Sequence, residues 1–289
     1  MMERKRKNPT KTTTPKSAVP RIVYYENELT DEFSTAAITP KKIDGSFSYD
    51  SEKPARRVGH FFWYKMLARP LAKLFMKEKF HHRIVNGQIL EEHLQERARS
   101  GKGCGYFLYG NHTNAIADAL IPSMISLLSE KTDAYVIVHP NNVSMPVLGR
   151  ITPCLGALPL PDDGEAARNF LEAVEREIGK GNSITIYPEA HIWPYCTRIR
   201  NFPDTSFRYP IQQDAPVFCF TNTYHRGRKG RGIEIITYVD GPFYGKDALK
   251  GKARRKDLRD RVYETMVERS QENTLILVEY LPGKEEEKA

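Results

Sequence analysis

The stretch Tyr106-Phe-Leu-Tyr-Gly-Asn-His-Thr-Asn-Ala-Ile-Ala-Asp-Ala-Leu120 decides how this chain is read. Its apolar opening, Tyr106 to Tyr109, reads as a buried strand that closes on Gly110. Ala115 to Glu130 has apolar residues at three- and four-residue spacing and reads as the helix that follows. Asn111 and His112 therefore sit at a strand-to-helix turn, where α/β enzymes commonly place reactive groups, with Asp118 six residues after the histidine. A carboxylate beside an imidazole fixes its tautomer and leaves the other ring nitrogen free to take a proton from a hydroxyl. The same residues also fit a polar loop that caps a helix, with Asn111 or Thr113 as N-cap and Asp118 on a solvated face.

Outward from this turn, apolar runs and helical periodicity alternate. Candidate strands are Tyr106 to Tyr109, Ala134 to Val138, Ala157 to Leu160, Ser183 to Tyr187, Val217 to Phe220, Ile233 to Val239 and Leu275 to Tyr280. Further helices are expected over Glu165 to Lys180 and Arg254 to Asn273. This alternation predicts an α/β fold: a single central, mostly parallel or mixed sheet of about seven strands, flanked by helices on both faces. A second constellation, Ser183-Ile-Thr-Ile-Tyr-Pro-Glu-Ala-His-Ile-Trp-Pro-Tyr195, ends a buried strand at Tyr187, and Pro188 stops it before Glu189. If the sheet is parallel here, Glu189 and His112 leave it on the same edge, and Glu189 is either a site carboxylate or a turn acid.

Composition sets the surroundings. The 289 residues are 40% apolar and 28% charged, and the net charge is +8, which favours an anionic partner surface. Four scattered cysteines, Cys104, Cys154, Cys196 and Cys219, form no C-x-x-C pair and suit reduced, packed thiols. No H-E-x-x-H, Walker A, G-x-G-x-x-G or G-x-S-x-G pattern is present, so no metal, bound cofactor or acyl-serine is expected. The basic loop His225 to Arg231 has no interleaved aromatics, which argues against nucleic acid. No apolar run reaches the length of a membrane span.

Residues 1–20 carry six Lys/Arg without an apolar core and read as a disordered basic tail; 21–58 reads as an extended arm packing on the body. Residues 59–100 read as an amphipathic helical segment, 101–283 as the α/β domain and 284–289 as a charged tail. Within His60 to Phe80, the aromatics and leucines Phe61, Phe62, Trp63, Leu67, Leu71, Leu74, Phe75 and Phe80 alternate with Lys65, Arg69, Lys73, Lys77 and Lys79. The pattern predicts a helical pair bent at Pro70, either lying in a bilayer interface or packing on the core. Lys246 to Arg261, with eight Lys/Arg against three Asp, is a solvated face or a second attraction to lipid.

Four blocks in order resemble the phospholipid/glycerol acyltransferase family. Asn111-His112 to Asp118 is similar to its N-H-x-x-x-x-D block, and Gly156-Ala-Leu-Pro-Leu160 to its G-x-[IF]-x-x-x-R block. Tyr187-Pro-Glu-Ala190 is similar to F-P-E-G-T-R, and Ala215-Pro-Val-Phe218 to V-P-[IV]-x-P. The resemblance covers roughly residues 60 to 240. This chain departs from it in three places: five residues separate His112 from Asp118, not four. Ala190-His191-Ile192 replaces Gly-Thr-Arg, and the second block lacks its arginine.

What the resemblance implies is an acyltransferase on the cytoplasmic face of a membrane, peripherally attached to an anionic lipid surface through the helical segment. His112 and Asp118 would be catalytic. Asn111, Glu189 and one or more of Arg198, Arg200 and Arg208 would bind substrate, the arginines standing in for the family's missing phosphate ligands. The donor would be acyl-CoA or acyl-carrier protein and the acceptor a lysophospholipid or glycerol phosphate. Backbone N–H groups between Gly110 and Asn114 would steady the oxyanion. A non-catalytic lipid-binding protein on the same fold, or a hydrolase using the same His-Asp pair, remains an alternative.

Overall fold

The computed structural model describes residues 19–33, 39–129, 132–146, 148–227, 230 and 232–283; the first eighteen residues of the expected basic tail and the whole of the charged tail lie outside them. The strands are β1 (Arg21–Tyr25), β2 (Arg83–Val85), β3 (Tyr106–Gly110), β4 (Ala134–Val138), β5 (Ala157–Pro159), β6 (Ser183–Ile186), β7 (Val217–Arg226), β8 (Ile233–Phe243) and β9 (Val278–Pro282). The helices are α1 (Pro54–Gly59), α2 (Arg69–Phe80), α3 (Gly87–Arg99), α4 (Ala115–Ser126), α5 (Asn141–Ser144), α6 (Leu148–Ile151), α7 (Gly164–Gly179), α8 (Arg208–Gln212) and α9 (Gly251–Ser270).

Seven strands form one sheet in the order β2-β8-β7-β3-β6-β4-β5, parallel throughout except for the β7–β8 hairpin. Every residue of β3 is buried, as its unbroken apolar run requires of a central parallel strand. Alternation along β3 divides the core. Phe107 and Tyr109 pack with Ala173 and Val174 of α7 and Leu258, Val262 and Met266 of α9. Tyr106 and Leu108 pack with Met76 of α2, Leu90 and Leu94 of α3, and Ile121 and Ile125 of α4. This is the predicted fold class, with helices on both faces.

One strand is exchanged relative to expectation. The last apolar run does not join the main sheet: β9 pairs with β1 in a separate parallel two-stranded sheet, and the edge beside β8 is taken by β2. The reason lies in the buried indole of Trp193. It packs against Tyr25, Phe33 and Tyr280 at 4.9, 5.2 and 4.8 Å between ring centroids, so β1 and β9 close over it. The segment 59–100 accordingly contributes a strand to the main sheet.

The expected bend at Pro70 is replaced by continuous helix: α1 runs through a π-helical stretch, His60–Ala68, directly into α2. Arg69 N–H bonds Tyr64 O five residues back, and the next residue, Pro70, has no N–H to donate. The change from wide to ordinary helix thus falls where a hydrogen bond is missing anyway. The helix buries Tyr64, Ala72, Met76 and Phe80, so Phe80 is a core residue and not an interface one. Lys65 and Arg69 also turn inward, to Asp133 at 3.0 and 3.2 Å. Burial alone would raise the Asp133 carboxyl, but His60 and Lys65 hold it down at about 2. Phe61, Phe62, Met66, Leu71 and Leu74 remain more than half exposed. The basic stretch around α9 is mostly engaged: Lys246 and Arg261 with Asp257, Arg254 with Asp247, Lys256 with Asp260.

Candidate active site

Parallel pairing of β3 with β6, in register Tyr109 to Ile186, brings the loops carrying His112 and Glu189 to the same sheet edge. Gly110, the last residue of β3, has no room for a side chain: a Cβ there would lie 2.1 Å from Cζ of Phe220 on β7. Beyond it the Asn111 side chain extends the ladder: its amide donates to Asn222 O at 3.0 Å and accepts Asn222 N–H at 2.8 Å. Asn111 is thereby buried and spent on β7 backbone, not presented to a ligand.

The extra residue between His112 and Asp118 is absorbed in the loop. Asn114, extended at φ −155°, is the N-cap of α4 and accepts the N–H groups of Ile116 and Ala117. Neither Asn111 nor Thr113 caps the helix. Asp118 then sits in the first turn and turns back onto the loop: its Oδ2 lies 2.9 Å from His112 Nδ1 and accepts the N–H groups of Thr113 and Asn114, each at 2.8 Å. Every partner of the carboxylate is a donor, so the hydrogen of a neutral imidazole resides on Nδ1 and Nε2 keeps its lone pair. The imidazole stacks on Tyr187, centroids 4.5 Å apart, and the Tyr187 hydroxyl donates to Asp118 O. Burial, reinforced by the Asp118 charge, pushes that phenol well above its ordinary range.

A second layer holds the histidine backbone. His112 N–H donates to Glu189 Oε2 at 3.2 Å; Trp193 N–H donates to His112 O at 3.1 Å; Tyr195 N–H donates to Thr113 O at 2.8 Å. Because the N–H groups of His112, Thr113 and Asn114 are all consumed by carboxylates, they are not the expected oxyanion donors. Glu189 is buried and pairs with the fully buried Arg200, whose Nη2 lies 3.0 Å from Oε2 and whose backbone N–H donates to Oε1 at 3.1 Å. Burial pushes the Glu189 carboxyl up, while Arg200 and the two backbone donors pull it the other way. Ala190 occupies φ 64°, a left-handed position that favours glycine.

The three candidate arginines do not converge. Arg200 lies under the loop, 4.7 Å over the Trp193 ring. Arg198 pairs with Glu28 of the N-terminal arm and lies 5.3 Å over Tyr25. Arg208 is exposed and rests on Tyr209, whose ring packs with Phe170 under the sheet face opposite to the one that receives Phe220.

Sequence reading missed Trp193, Tyr187 and the polar row Thr221-Asn222-Thr223. The signal for the last was visible: three polar residues inside an apolar strand buried on both faces need internal partners. Beside the first turns of α4, an open groove of about 880 Å³ is lined by Leu71, Leu74 and Phe75 of α2 and Ile116 and Leu120 of α4. Among the described residues no group of three or more His, Cys, Asp or Glu could hold a metal, and no helix is long and apolar enough to cross a membrane.

No family model matches this chain, and no curated protein matches it. Among solved structures it is similar to the crystal structure of the 1-acyl-sn-glycerophosphate (LPA) acyltransferase, PlsC, from Thermotoga maritima. That likeness has a TM-score of 0.49 and 14% sequence identity, over 79% of this chain and 86% of the other.

Proposed function

We propose that the protein is an O-acyltransferase that moves a fatty acyl group from an acyl thioester, acyl-CoA or acyl-carrier protein, to a hydroxyl of a glycerol-phosphate or lysophospholipid acceptor. The observation that carries this reading is the 2.9 Å contact between His112 Nδ1 and the buried Asp118, which leaves Nε2 as a base. In the reaction Nε2 takes the acceptor's hydroxyl proton as the oxygen attacks the thioester carbonyl. Collapse of the tetrahedral intermediate breaks the C–S bond, and the imidazolium returns the proton to the leaving thiolate. No acyl-enzyme is required. The apolar groove between α2 and α4 has the volume and lining expected for an acyl chain.

The exposed face of the helix from Phe61 to Phe75 attaches the protein peripherally to an anionic membrane surface, where both lipids are at hand. The test is incubation of the pure protein with acyl-CoA or acyl-carrier protein and a panel of lysolipids and glycerol phosphate, followed by lipid extraction and mass spectrometry. The expected product is the acceptor plus one acyl group. Free fatty acid alone would identify a hydrolase, and unchanged lipids that remain bound would identify a non-catalytic lipid-binding protein.

A further inference from the structure

Behind Asp118 a line of polar groups crosses two strands and ends just past the helix that borders the groove: Asn222 and Thr237 are buried and His82 is half-buried. Asn222 Nδ2 donates to Asp118 Oδ1 at 3.4 Å, Thr237 Oγ1 donates to Asn222 Oδ1 at 2.7 Å, and His82 Nε2 lies 2.8 Å from Thr237 Oγ1. Asn222 belongs to β7 and Thr237 to β8, paired directly across the hairpin. His82 follows the left-handed residue that ends α2 and precedes β2.

The direction of each bond is fixed by chemistry. The hydroxyl hydrogen of Thr237 is spent on Asn222, so Thr237 accepts at the other side and His82 carries its hydrogen on Nε2. Burial pushes His82 down to about 4, so its ring stays neutral at pH 7 and well below it. All donors therefore run one way, from His82 to Asp118. Any buried polar row needs partners; this one delivers its last donor to Oδ1 of the carboxylate whose Oδ2 holds the imidazole.

We propose that Asn222 and Thr237 are positioning residues for the His112–Asp118 pair, with His82 fixing the far end of the line. Without the Thr237 hydroxyl the Asn222 amide is free to turn its oxygen toward Asp118, replacing a donor by a repulsive acceptor. The carboxylate then loses its donor at Oδ1, leaving the Thr113 and Asn114 N–H groups alone to hold Oδ2 toward the imidazole. The same line ties the end of α2, and so one wall of the apolar groove, to the orientation of the base. This proposal rests on the acyltransferase reading for its kinetic consequence and on geometry alone for its spectroscopic one.

The experiment pairs the isosteric Thr237→Val with the conservative Thr237→Ser. Nitrogen-15 NMR of histidine-labelled protein, with the His112 signal assigned through His112→Ala, reports which ring nitrogen carries the hydrogen. Wild type and Thr237→Ser should show a single tautomer protonated on Nδ1, and Thr237→Val a mixture. In the acyl-transfer assay Thr237→Val should lose roughly tenfold in kcat at nearly constant KM, since coupled polar networks of this size are worth about one such factor. Should Thr237→Val fail to fold, His82→Phe removes the far end of the line and is expected to act in the same direction. A Thr237→Val protein that retains the single tautomer and wild-type kcat overturns the proposal. If wild type transfers no acyl group, the functional reading fails and the tautomer measurement alone decides the positioning role.

Discussion

The carboxylate of Glu189 and the guanidinium of Arg200 form an ion pair at 3.0 Å with both side chains removed from solvent, and the same Glu189 oxygen receives the backbone N–H of His112. The position of the proposed base therefore depends on a buried charge whose ion-pair partner is Arg200, helped by the backbone N–H groups of His112 and Arg200. Ion pairs of this kind are costly to break from one side, because the survivor stays buried and unpaired.

Arg200→Leu should accordingly destabilise the fold by about 3–5 kcal/mol in urea denaturation. Adding Glu189→Gln to it should recover part of that loss, because the buried charge is gone while an amide oxygen can still accept a backbone N–H. If the two substitutions are additive, the two side chains are not coupled and the loop is held by its backbone bonds alone.

His112→Ala should lower kcat by about 10²–10⁴-fold, the usual worth of a general base, with little change in thermal midpoint. Asp118→Asn should impair turnover too, since an amide at this position can donate to Nδ1 and favour the wrong tautomer. Steady-state kinetics with circular dichroism on each variant measures both effects. A folded, fully active His112→Ala protein would remove the proposed mechanism.

Phe61 and Phe62 are 59% and 55% exposed, and Trp63 follows at 36%, on a helix whose other side is packed. Full burial of one large apolar side chain is worth about 1.5–3 kcal/mol, so two or three partial insertions, with Lys73, Lys77 and Lys79 near anionic headgroups, suffice for reversible attachment. Liposome flotation should show loss of binding when Phe61, Phe62 and Trp63 are changed together to Ser. Added salt should weaken wild-type binding without abolishing it, because only the ionic part is screened. Equal flotation of wild type and the triple variant would place attachment elsewhere on the surface.

Stability should fall between pH 6.5 and about 4 because of His82, whose native pKa is lowered by burial across that interval. The unfolded chain takes up a proton near pH 6.5 while the native state does not until about pH 4, so acid favours unfolding by up to about 1.4 kcal/mol per pH unit in between. Residual exposure of His82 makes the observed slope shallower. Asp133 acts in a separate window, stabilising above its ordinary value of 3.8 and losing that contribution as pH falls through about 2. Urea midpoints across pH 7 to 4 should slope in wild type and less steeply in His82→Gln, where His93 and His225, also lowered by burial, keep a smaller slope; parallel slopes would assign the effect to other groups.

The His112 turn, the order of the main-sheet strands β3 to β8 along the chain and the helices α4, α7 and α9 were legible in the sequence, because each is encoded locally. Continuous apolar runs mark strands buried on both faces, and three- and four-residue spacing marks helices packed on one. The same local rules placed His112 and Glu189 on one edge once parallel pairing was assumed. They could not place β9, whose partner β1 is more than 250 residues away in sequence, since pairing depends on what a strand covers. Here that is Trp193. Nor could they tell Arg200 from Arg208, two guanidiniums eight residues apart, one sealed under the loop and one in solvent. Charge and hydropathy are the same for both; burial is decided by which long-range partner, Glu189 or water, the folded chain supplies. Asn111 shows the limit most directly: its type and position fit a substrate ligand, but in the folded chain its amide is buried and pairs with the Asn222 backbone through both its nitrogen and its oxygen.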